Sequence, residues 1–421
     1  MKRRVLIGFA VLAAVVLLLW SAASVDRCGT WPVKPAGLTH LARGKGQLQA
    51  GAAKVELHPR YPTTAGGYGP LRSSVDRALA PLFARALVLD VGGQRLGVVL
   101  LDALLIPPQL RDAIGEGQPF PTWVLATHTH SGPSGFDPRF ASELAALGSF
   151  SPEDEKVLST AGREALAQAL AALKPARLEV GAGLTEGVSK ARSGKEVDRR
   201  LTRLRFDGAD GPVAQLIIAS AHPTLVPRRP QGLHPDWPGL LAERLEKENG
   251  PITFVLQGAG GNASIDRAQL ATPEAAAERL ETLVRALPTA AEPDELDAAW
   301  TEVHVSLARP VSKGVVPAVF GAIAENALCD HAEDFAVLHG LRLGGTRLLL
   351  VPLEPSYAAG LVLEEQARAA RVIGLADGYA GYVETVEAAR AGEGEAHRQY
   401  FDADLLTRLV EGARLAGQPM D

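Results

Sequence analysis

The stretch "WVLATHTHSGPSG" (Trp123–Gly135) joins a short apolar run to two histidines and a glycine-proline turn. The apolar run predicts a buried β-strand, and the turn residues indicate where it stops. Side chains alternate faces along a strand, so His128 and His130 are expected to share one face. Two imidazoles directed at one point suit a zinc site, or one metal ligand beside a proton-handling group. The alternative is a pair of solvated loop histidines.

The same arrangement of a polar side chain at the end of an apolar strand recurs later in the chain. His222 follows "LIIASA", and Glu354 follows "LLLVPL". Ligands collect at strand termini in folds of this class, so we expect these residues to share a cleft with His128. Glu354 is a metal ligand or a solvated strand-end residue. Asp102, inside "VVLLDALL", orients a histidine or caps its strand.

The glycine-rich segment "QGAGGNASID" follows the apolar run "ITFVL". It fits the spacing of a dinucleotide-binding turn, but it lies mid-chain and no return strand ending in an acid follows, which argues against a nucleotide. The turn would instead expose Ser264 as a nucleophile next to backbone N–H groups. The alternative is a tight surface turn.

Composition limits the class of protein. The 421 residues are 47% hydrophobic and carry a net charge of −5, with no block of basic residues, so we expect no nucleic-acid partner. Strands and helices mix throughout, which predicts an α/β fold of mixed β-sheets flanked by α-helices. We predict an N-terminal hydrophobic segment (1–25), a linker (26–47) and a single catalytic domain (48–421).

The N-terminus consists of "MKRR" followed by sixteen uncharged residues, "VLIGFAVLAAVVLLLW". This pattern favours a membrane anchor with the body of the chain outside the cytoplasm. A cleaved signal peptide is the alternative and would leave a secreted or periplasmic protein. Cys28 and Cys329 are the two cysteines, and they could pair in an oxidising compartment.

Several motifs occur in the order in which they occur in one known family. They are "AGAAKVELHP", "GGYGPLRS", "ARALVLD", "ATHTHSGPSGF", "SKARS", "ASAHPT", "QGAGGNAS", "VPLEPSY" and "GLADGYAGYVETVEAA". The chain resembles the neutral/alkaline (non-lysosomal) ceramidase family over roughly Gln49 to Val410.

The resemblance implies a zinc amidase that cleaves the N-acyl bond of ceramide, or of a related lipid amide, to a sphingoid base and a fatty acid. It implies a Zn2+ ion with four ligands: His128, His222, Glu354 and Tyr382. It also implies that His130 and Arg192 stabilise the oxyanion and that Ser264 occupies the position of the catalytic serine. A water made acidic by the metal fits the same parts as the nucleophile.

The chain departs from the family pattern at two places. By spacing, Gly394 stands where the family has a tyrosine that would help to hold the oxyanion, and residues 262–265 read "NASI" where the family turn has an aspartate and a Ser-Pro pair. These departures favour one alternative, a catalytically idle lipid-binding surface protein of the same fold. A second alternative is a binuclear-metal amidohydrolase barrel, which also begins with H-x-H on a strand.

Overall fold

Strand β1 (Gly37–Glu56) is the longest strand and the centre of the fold. Its first half pairs antiparallel with β14 (Glu295–Ser306), and its second half pairs antiparallel with β4 (Phe83–Val91). The strand therefore begins within the segment 26–47 that the sequence predicts as a linker, and residues 37–47 belong to the sheet. The computed structural model describes residues 2–24, 29–68, 74–139, 142–194, 196–311, 325, 328–329 and 333–418.

The main sheet has 13 strands of mixed direction, which confirms the predicted α/β class with mixed sheets. Besides β1, β4 and β14, its strands are β5 (Gln94–Leu101), β6 (Thr122–Ala126), β7 (Lys174–Leu184), β9 (Arg200–Gly208), β10 (Gly211–Ala219), β11 (Ile252–Gln257), β13 (Thr289–Ala291), β15 (Phe335–Leu343), β16 (Thr346–Leu350) and β18 (Arg371–Ile373). One path through the sheet runs β11-β10-β9-β7-β1-β14-β15-β16-β18. Strands β4, β5 and β6 branch from β1, and β13 pairs with β7. Three two-stranded ladders complete the strands, formed by β2 (Thr63–Thr64) with β3 (Ser74–Val75), β8 (Ser189–Ala191) with β12 (Ala263–Ile265), and β17 (Glu354–Pro355) with β19 (Tyr382–Val383).

Helices cover this sheet in three groups. The first group, α2 (Pro108–Gly115) and α3 (Pro152–Ala171), packs beside β4, β5 and β6. The second group is α4 (Asp236–Glu246) and α5 (Pro273–Arg285), of which α4 packs on β11. The third group is α6 (Tyr357–Ala367) with α8 (Leu405–Gly417), and α8 lies on β14 and β15. Short helical segments are the π-helix Glu143–Leu147, α7 (Val386–Ala391) and the 3₁₀ turn Ala396–Arg398.

Three parallel pairs within the sheet bring strand ends together. They are β5 with β6, β10 with β11, and β16 with β18. Backbone hydrogen bonds join the segments beyond these pairs: Gly374 N donates to Gln257 O at 2.9 Å, and Ala126 N donates to Leu375 O at 3.3 Å. Carboxyl ends of parallel strands are where ligands bind in such sheets, so this junction is the expected position of a site.

The N-terminal segment forms helix α1 (Lys2–Ser24). Among the residues that the structure describes, no helix combines the length and the apolar character needed to cross a bilayer. Cys329 is disulfide-bonded, and Cys28, the partner considered from the sequence, lies outside the described residues.

Candidate functional site

His128 and His130 lie just beyond β6, which ends at Ala126. His128 N donates to the carbonyl of Ala103 at 3.0 Å, and the residue has a positive φ of 67°. This left-handed backbone is unusual for a residue with a side chain and is typical of functional positions held by their surroundings. The expectation of two histidines on one strand face is therefore wrong in its geometry. The two side chains nevertheless converge, with Nε2 atoms 3.4 Å apart.

His222, Glu354 and Tyr382 arrive at the same point from other strand ends. His222 follows β10, and Glu354 pairs with Tyr382 in the parallel ladder of β17 and β19. Glu354 Oε2 lies 3.2 Å from His128 Nε2 and 2.8 Å from His222 Nε2. The Tyr382 hydroxyl lies 2.9 Å from His222 Nε2. We call these four buried residues, His128, His222, Glu354 and Tyr382, the strand-end cluster.

Backbone carbonyls fix which ring nitrogen carries the proton in the neutral form of the two cluster histidines. His128 Nδ1 lies 2.8 Å from Leu104 O, and His222 Nδ1 lies 3.0 Å from Ala263 O. Since a carbonyl only accepts, each Nδ1 carries a proton, and in the neutral form of each ring the Nε2 lone pair is directed towards Glu354. Glu354 Oε2 is buried, and among the described side chains no hydrogen-bond donor satisfies it. Acceptor atoms that face one another in this way fit a bound metal ion.

The carboxylate and the imidazoles perturb one another strongly. Burial favours the neutral form of Glu354, but His128 and His222 outweigh it and hold the pKa of that carboxyl well below its usual range. Burial, together with His128 and His222, lowers the pKa of His130 well below 6.5, so its ring is neutral at pH 7. The group His128, His130 and His222 could hold a metal ion, because their ligand atoms lie within 4.8 Å of one another. His130 Nδ1 donates to Gly67 O at 3.2 Å.

Arg192 borders the strand-end cluster on the side of Tyr382. Its guanidinium donates to the Tyr382 hydroxyl at 3.2 Å and to the Gly261 carbonyl, and its Nε donates to Glu395 at 3.0 Å. Burial and Glu354 raise the pKa of Tyr382 well above 10, while Arg192 acts in the opposite direction. Arg192 is thus a fixed cation beside the cluster, and its guanidinium is in part available to an anionic oxygen.

Two solved structures share this architecture. Neutral ceramidase from Pseudomonas aeruginosa superposes with a TM-score of 0.74 at 18% identity, covering 89% of this chain and 75% of that chain. The chain has the neutral ceramidase fold. A ceramidase complexed with C2 superposes with a TM-score of 0.73 at 17% identity, covering 89% of this chain and 76% of that chain. No protein-family model and no curated protein matches the sequence.

Ser264 lies on β12 in this version of the neutral ceramidase fold, next to the cluster through its backbone. It forms a parallel bridge with His222, and its side chain is half-buried. The ring nitrogens of His222 are directed to Ala263 O and to the cluster, and those of His130 to Gly67 O and His128. Within the described part of the chain, no histidine ring nitrogen hydrogen-bonds to the Ser264 hydroxyl, so no base is in contact with it.

The glycine-rich segment is built for close backbone approach. A β-carbon on Gly261 would lie 2.5 Å from Glu354 O, whereas one on Gly260 would have no heavy atom closer than 3.8 Å. Gly261 N also donates to Pro355 O at 2.8 Å. The segment thus packs against the backbone of Glu354 and supports the cluster. That role explains its glycines without a nucleotide.

Asp102, considered from the sequence as a partner of a histidine, has another role. Asp102 Oδ2 accepts from Arg85 at 3.2 Å and from Phe83 N at 2.8 Å, so it neutralises a buried arginine and contacts no cluster histidine. His234 Nδ1 accepts from Asp236 N at 2.9 Å at the start of α4.

Sequence reasoning missed two residues that contact the site. The Tyr379 hydroxyl donates to Glu354 Oε1 at 2.7 Å, and Glu395 is a buried carboxylate that accepts from Arg192. Tyr379 stands three residues before Tyr382 in "GYAGYV", which is the only signal that the sequence offers for it. Nothing local in "GEGEAH" indicates that Glu395 reaches Arg192.

The turn at Gly394 has no room for a side chain. Gly394 has a φ of 61°, and a β-carbon there would contact Oε1 of Glu384, with the Cδ atom 2.9 Å away. The same Glu384 carboxylate accepts from Glu395 N at 2.8 Å and from the Ser356 hydroxyl at 2.7 Å. Glu384 therefore fixes the turn that presents Glu395 to Arg192.

Proposed function

We propose that the protein is a zinc-dependent amidohydrolase that cleaves the N-acyl bond of ceramide or a related lipid amide. The observation that carries the proposal is the buried Oε2 atom of Glu354, which faces two imidazole lone pairs without a hydrogen-bond donor among the described residues. Two imidazoles, a carboxylate and a phenol form a donor set of nitrogen and oxygen atoms that suits zinc.

The spacing of the cluster atoms supports this ion. Ligand atoms about 2.0–2.1 Å from a tetrahedral zinc lie roughly 3.3 Å from one another. The contacts of Glu354 with His128 and His222, and that of Tyr382 with His222, measure 3.2, 2.8 and 2.9 Å. These three contacts, of the six among four ligands, therefore need only small outward shifts to reach the zinc spacing, and the histidines are already held by carbonyls on their other ring nitrogens.

The remaining residues have defined roles in the proposed hydrolysis. A bound zinc ion supplies Lewis acidity, which polarises an amide carbonyl and acidifies water. Arg192 stabilises the negative charge that develops on the carbonyl oxygen, whereas the neutral ring of His130 carries its one proton on Nδ1 and donates it to Gly67 O. The C–N bond breaks, the acyl carbon gains a hydroxyl from water, and the amine nitrogen gains the proton. Water is favoured over Ser264 as nucleophile because Ser264 has no adjacent base.

The substrate class rests on the combination of fold and cluster. A chain with the neutral ceramidase fold that also concentrates these ligands at the strand ends is best explained by chemistry on an acyl amide. Fold alone does not assign chemistry, so the site residues carry the proposal.

The test uses the full chain purified in mild detergent. We expect close to one zinc ion per chain by elemental analysis and release of fatty acid from a fluorescent N-acyl sphingosine. His128→Ala should lose zinc and activity, while His58→Ala, which changes an exposed histidine, should keep both. A metal-free, inactive wild type contradicts the proposal, as does activity that survives His128→Ala.

One observation favours a second candidate, a lipid-amide-binding protein without catalysis. The Gly394 turn has no space for the tyrosine expected from the family pattern. In that case zinc and ceramide bind, but no fatty acid is released. The binuclear barrel is not supported, because the sheet is open and mixed and the described residues offer one metal-binding group.

We also propose that the chain is exported. The basic residues and apolar run at the N-terminus favour export, and the disulfide of Cys329 supports an oxidising compartment. An alkaline phosphatase fusion after residue 418 should be active only outside the cytoplasm. An inactive fusion, in cells that make it in full, contradicts export.

A further inference from the structure

Tyr379 contacts the oxygen of Glu354 that does not face the histidines. Its hydroxyl lies 2.7 Å from Glu354 Oε1, whereas His128 and His222 face Oε2. We propose that Tyr379 is a positioning residue that restricts Glu354 to binding the metal through Oε2 alone. This inference rests on the metal site of the proposed function.

The direction of this hydrogen bond follows from the chemistry of the pair. A carboxylate only accepts, so the phenol donates. Oε1 is thereby occupied by a short hydrogen bond, and the lone pairs of Oε2 remain for the ion.

The position of Tyr379 is fixed from both sides. Its ring packs edge-on against Tyr400, with centroids 6.3 Å apart and planes at 74°. Tyr400 in turn covers Gly381, where a β-carbon would lie 2.6 Å from Tyr400 Cδ2. Gly381 O accepts from Glu354 N at 2.9 Å. The loop therefore holds the backbone of Glu354 and its distal oxygen together.

The consequence is a defined coordination number. A carboxylate that binds through one oxygen takes one position on the ion, whereas a bidentate carboxylate takes two. The hydrogen bond at Oε1 would therefore prevent Glu354 from taking a second position, which leaves a fifth position for substrate beside the four protein ligands. Such outer contacts to ligands typically change metal affinity by about 10- to 100-fold.

The test measures metal binding in the full, metal-free chain, without substrate. Co2+ is titrated against a chromophoric chelator, and the visible spectrum of the bound ion reports its coordination. We expect Tyr379→Phe to weaken Co2+ binding by about 10- to 100-fold and to shift the visible bands towards higher coordination. Tyr61→Phe, which changes an exposed tyrosine, is the control and should resemble the wild type.

A double variant separates positioning from general loosening of the fold. In a Glu354→Ala background, Tyr379→Phe should cause no further loss of Co2+ affinity, because the oxygen that it orients is gone. An equal additional loss in that background overturns the inference, as does a Tyr379→Phe variant with wild-type affinity and spectrum. A wild type that binds Co2+ but does not cleave ceramide overturns only the proposed substrate, and one that binds no metal overturns both proposals.

Discussion

The Glu395 carboxylate accepts a hydrogen bond from Arg192 Nε at 3.0 Å, although 202 residues separate the two in the chain. A second nitrogen of Arg192, Nη2, donates to both the Tyr382 hydroxyl and the Gly261 carbonyl. Its orientation towards the strand-end cluster therefore depends on a residue that belongs to a different part of the fold.

Glu395→Gln should lower kcat without changing the zinc content, because it weakens the hold on Arg192 and leaves the ligands intact. Arg192→Ala should lower kcat by about 100-fold or more, as the loss of one oxyanion donor does, and Glu395→Gln by a smaller factor. Steady-state kinetics and elemental analysis measure the two effects. Glu387→Gln, which changes an exposed acid on α7, is the control. Unchanged kcat in Glu395→Gln would contradict the role of this pair.

Gly394→Ala should lower the free energy of unfolding by more than Gly392→Ala does. Both glycines have positive φ, of 61° and 71°, and each substitution costs about 1–3 kcal/mol of backbone strain. Only Gly394 also meets the Glu384 carboxylate, whereas a β-carbon on Gly392 meets nothing within 4 Å. Urea denaturation of the pair isolates the steric part. Equal losses of unfolding free energy in the two variants would show that the Glu384 carboxylate moves aside at little energetic cost.

Gly261→Ala should reduce zinc content and activity, whereas Gly260→Ala should leave both close to wild type. The β-carbon on Gly261 would lie 2.5 Å from Glu354 O, and the one on Gly260 has its nearest neighbour at 3.8 Å. The backbone that carries Glu354 must therefore shift in the first variant only. Elemental analysis of both proteins, prepared in parallel, checks the result, and a fully zinc-loaded Gly261→Ala protein would refute it.

Ser264→Ala should keep most of the hydrolytic activity, because no histidine nitrogen of the described residues hydrogen-bonds to the hydroxyl. A serine-directed fluorophosphonate should not label the wild type. Loss of activity by a factor of about 1,000 or more, together with labelling that Ser264→Ala abolishes, would instead identify Ser264 as the nucleophile.

Asp236 should make the protein less stable as pH rises. Burial raises the pKa of Asp236 from 3.8 to about 6. Between these values the unfolded chain releases the proton first, so stability present at about pH 4 is lost as pH rises through about 6, by up to about 3 kcal/mol. Denaturation of the metal-free chain should show this loss in the wild type and in Asp210→Asn, an exposed control, but not in Asp236→Asn. Identical pH profiles for all three would contradict it.

Elements with local signals were predictable. Ser151 precedes a proline and acidic residues, and it caps α3 by accepting from Asp154 N at 3.4 Å. Thr272 caps α5 in the same way at 3.2 Å. The pair Gly92–Gly93, a sequence typical of tight hairpin turns, joins β4 to β5, and both glycines have positive φ. Each of these features depends on residues within one turn of chain.

The first half of β1 was not predictable in this way. Residues 37–47 are mostly exposed or half-buried and include three glycines, a composition typical of a linker. Their strand conformation comes from pairing with β14, more than 200 residues later in the chain. Tertiary pairing therefore overrides a weak local preference.

The residues of the candidate site also differ in whether a local sequence pattern predicts them. His128, His222 and Glu354 follow apolar strands, so position alone identified them. Tyr382 and Arg192 were predicted only from the resemblance to the ceramidase family. No local sequence pattern distinguishes a tyrosine or an arginine in such short segments as a site residue. The partners Tyr379 and Glu395 depend on contacts across the fold, which sequence spacing does not encode.

The strand-end cluster joins residues that lie as far apart in the chain as positions 128 and 382. Its four members therefore meet only when most of the chain has formed its tertiary contacts. Binding of an ion that selects the completed arrangement stabilises the native state by mass action, by about 4 kcal/mol at a thousandfold excess over the dissociation constant. Under the proposed function, the supply of metal therefore controls how much native protein accumulates. Chains truncated before Tyr382 gain none of this energy and should be removed by proteolysis first.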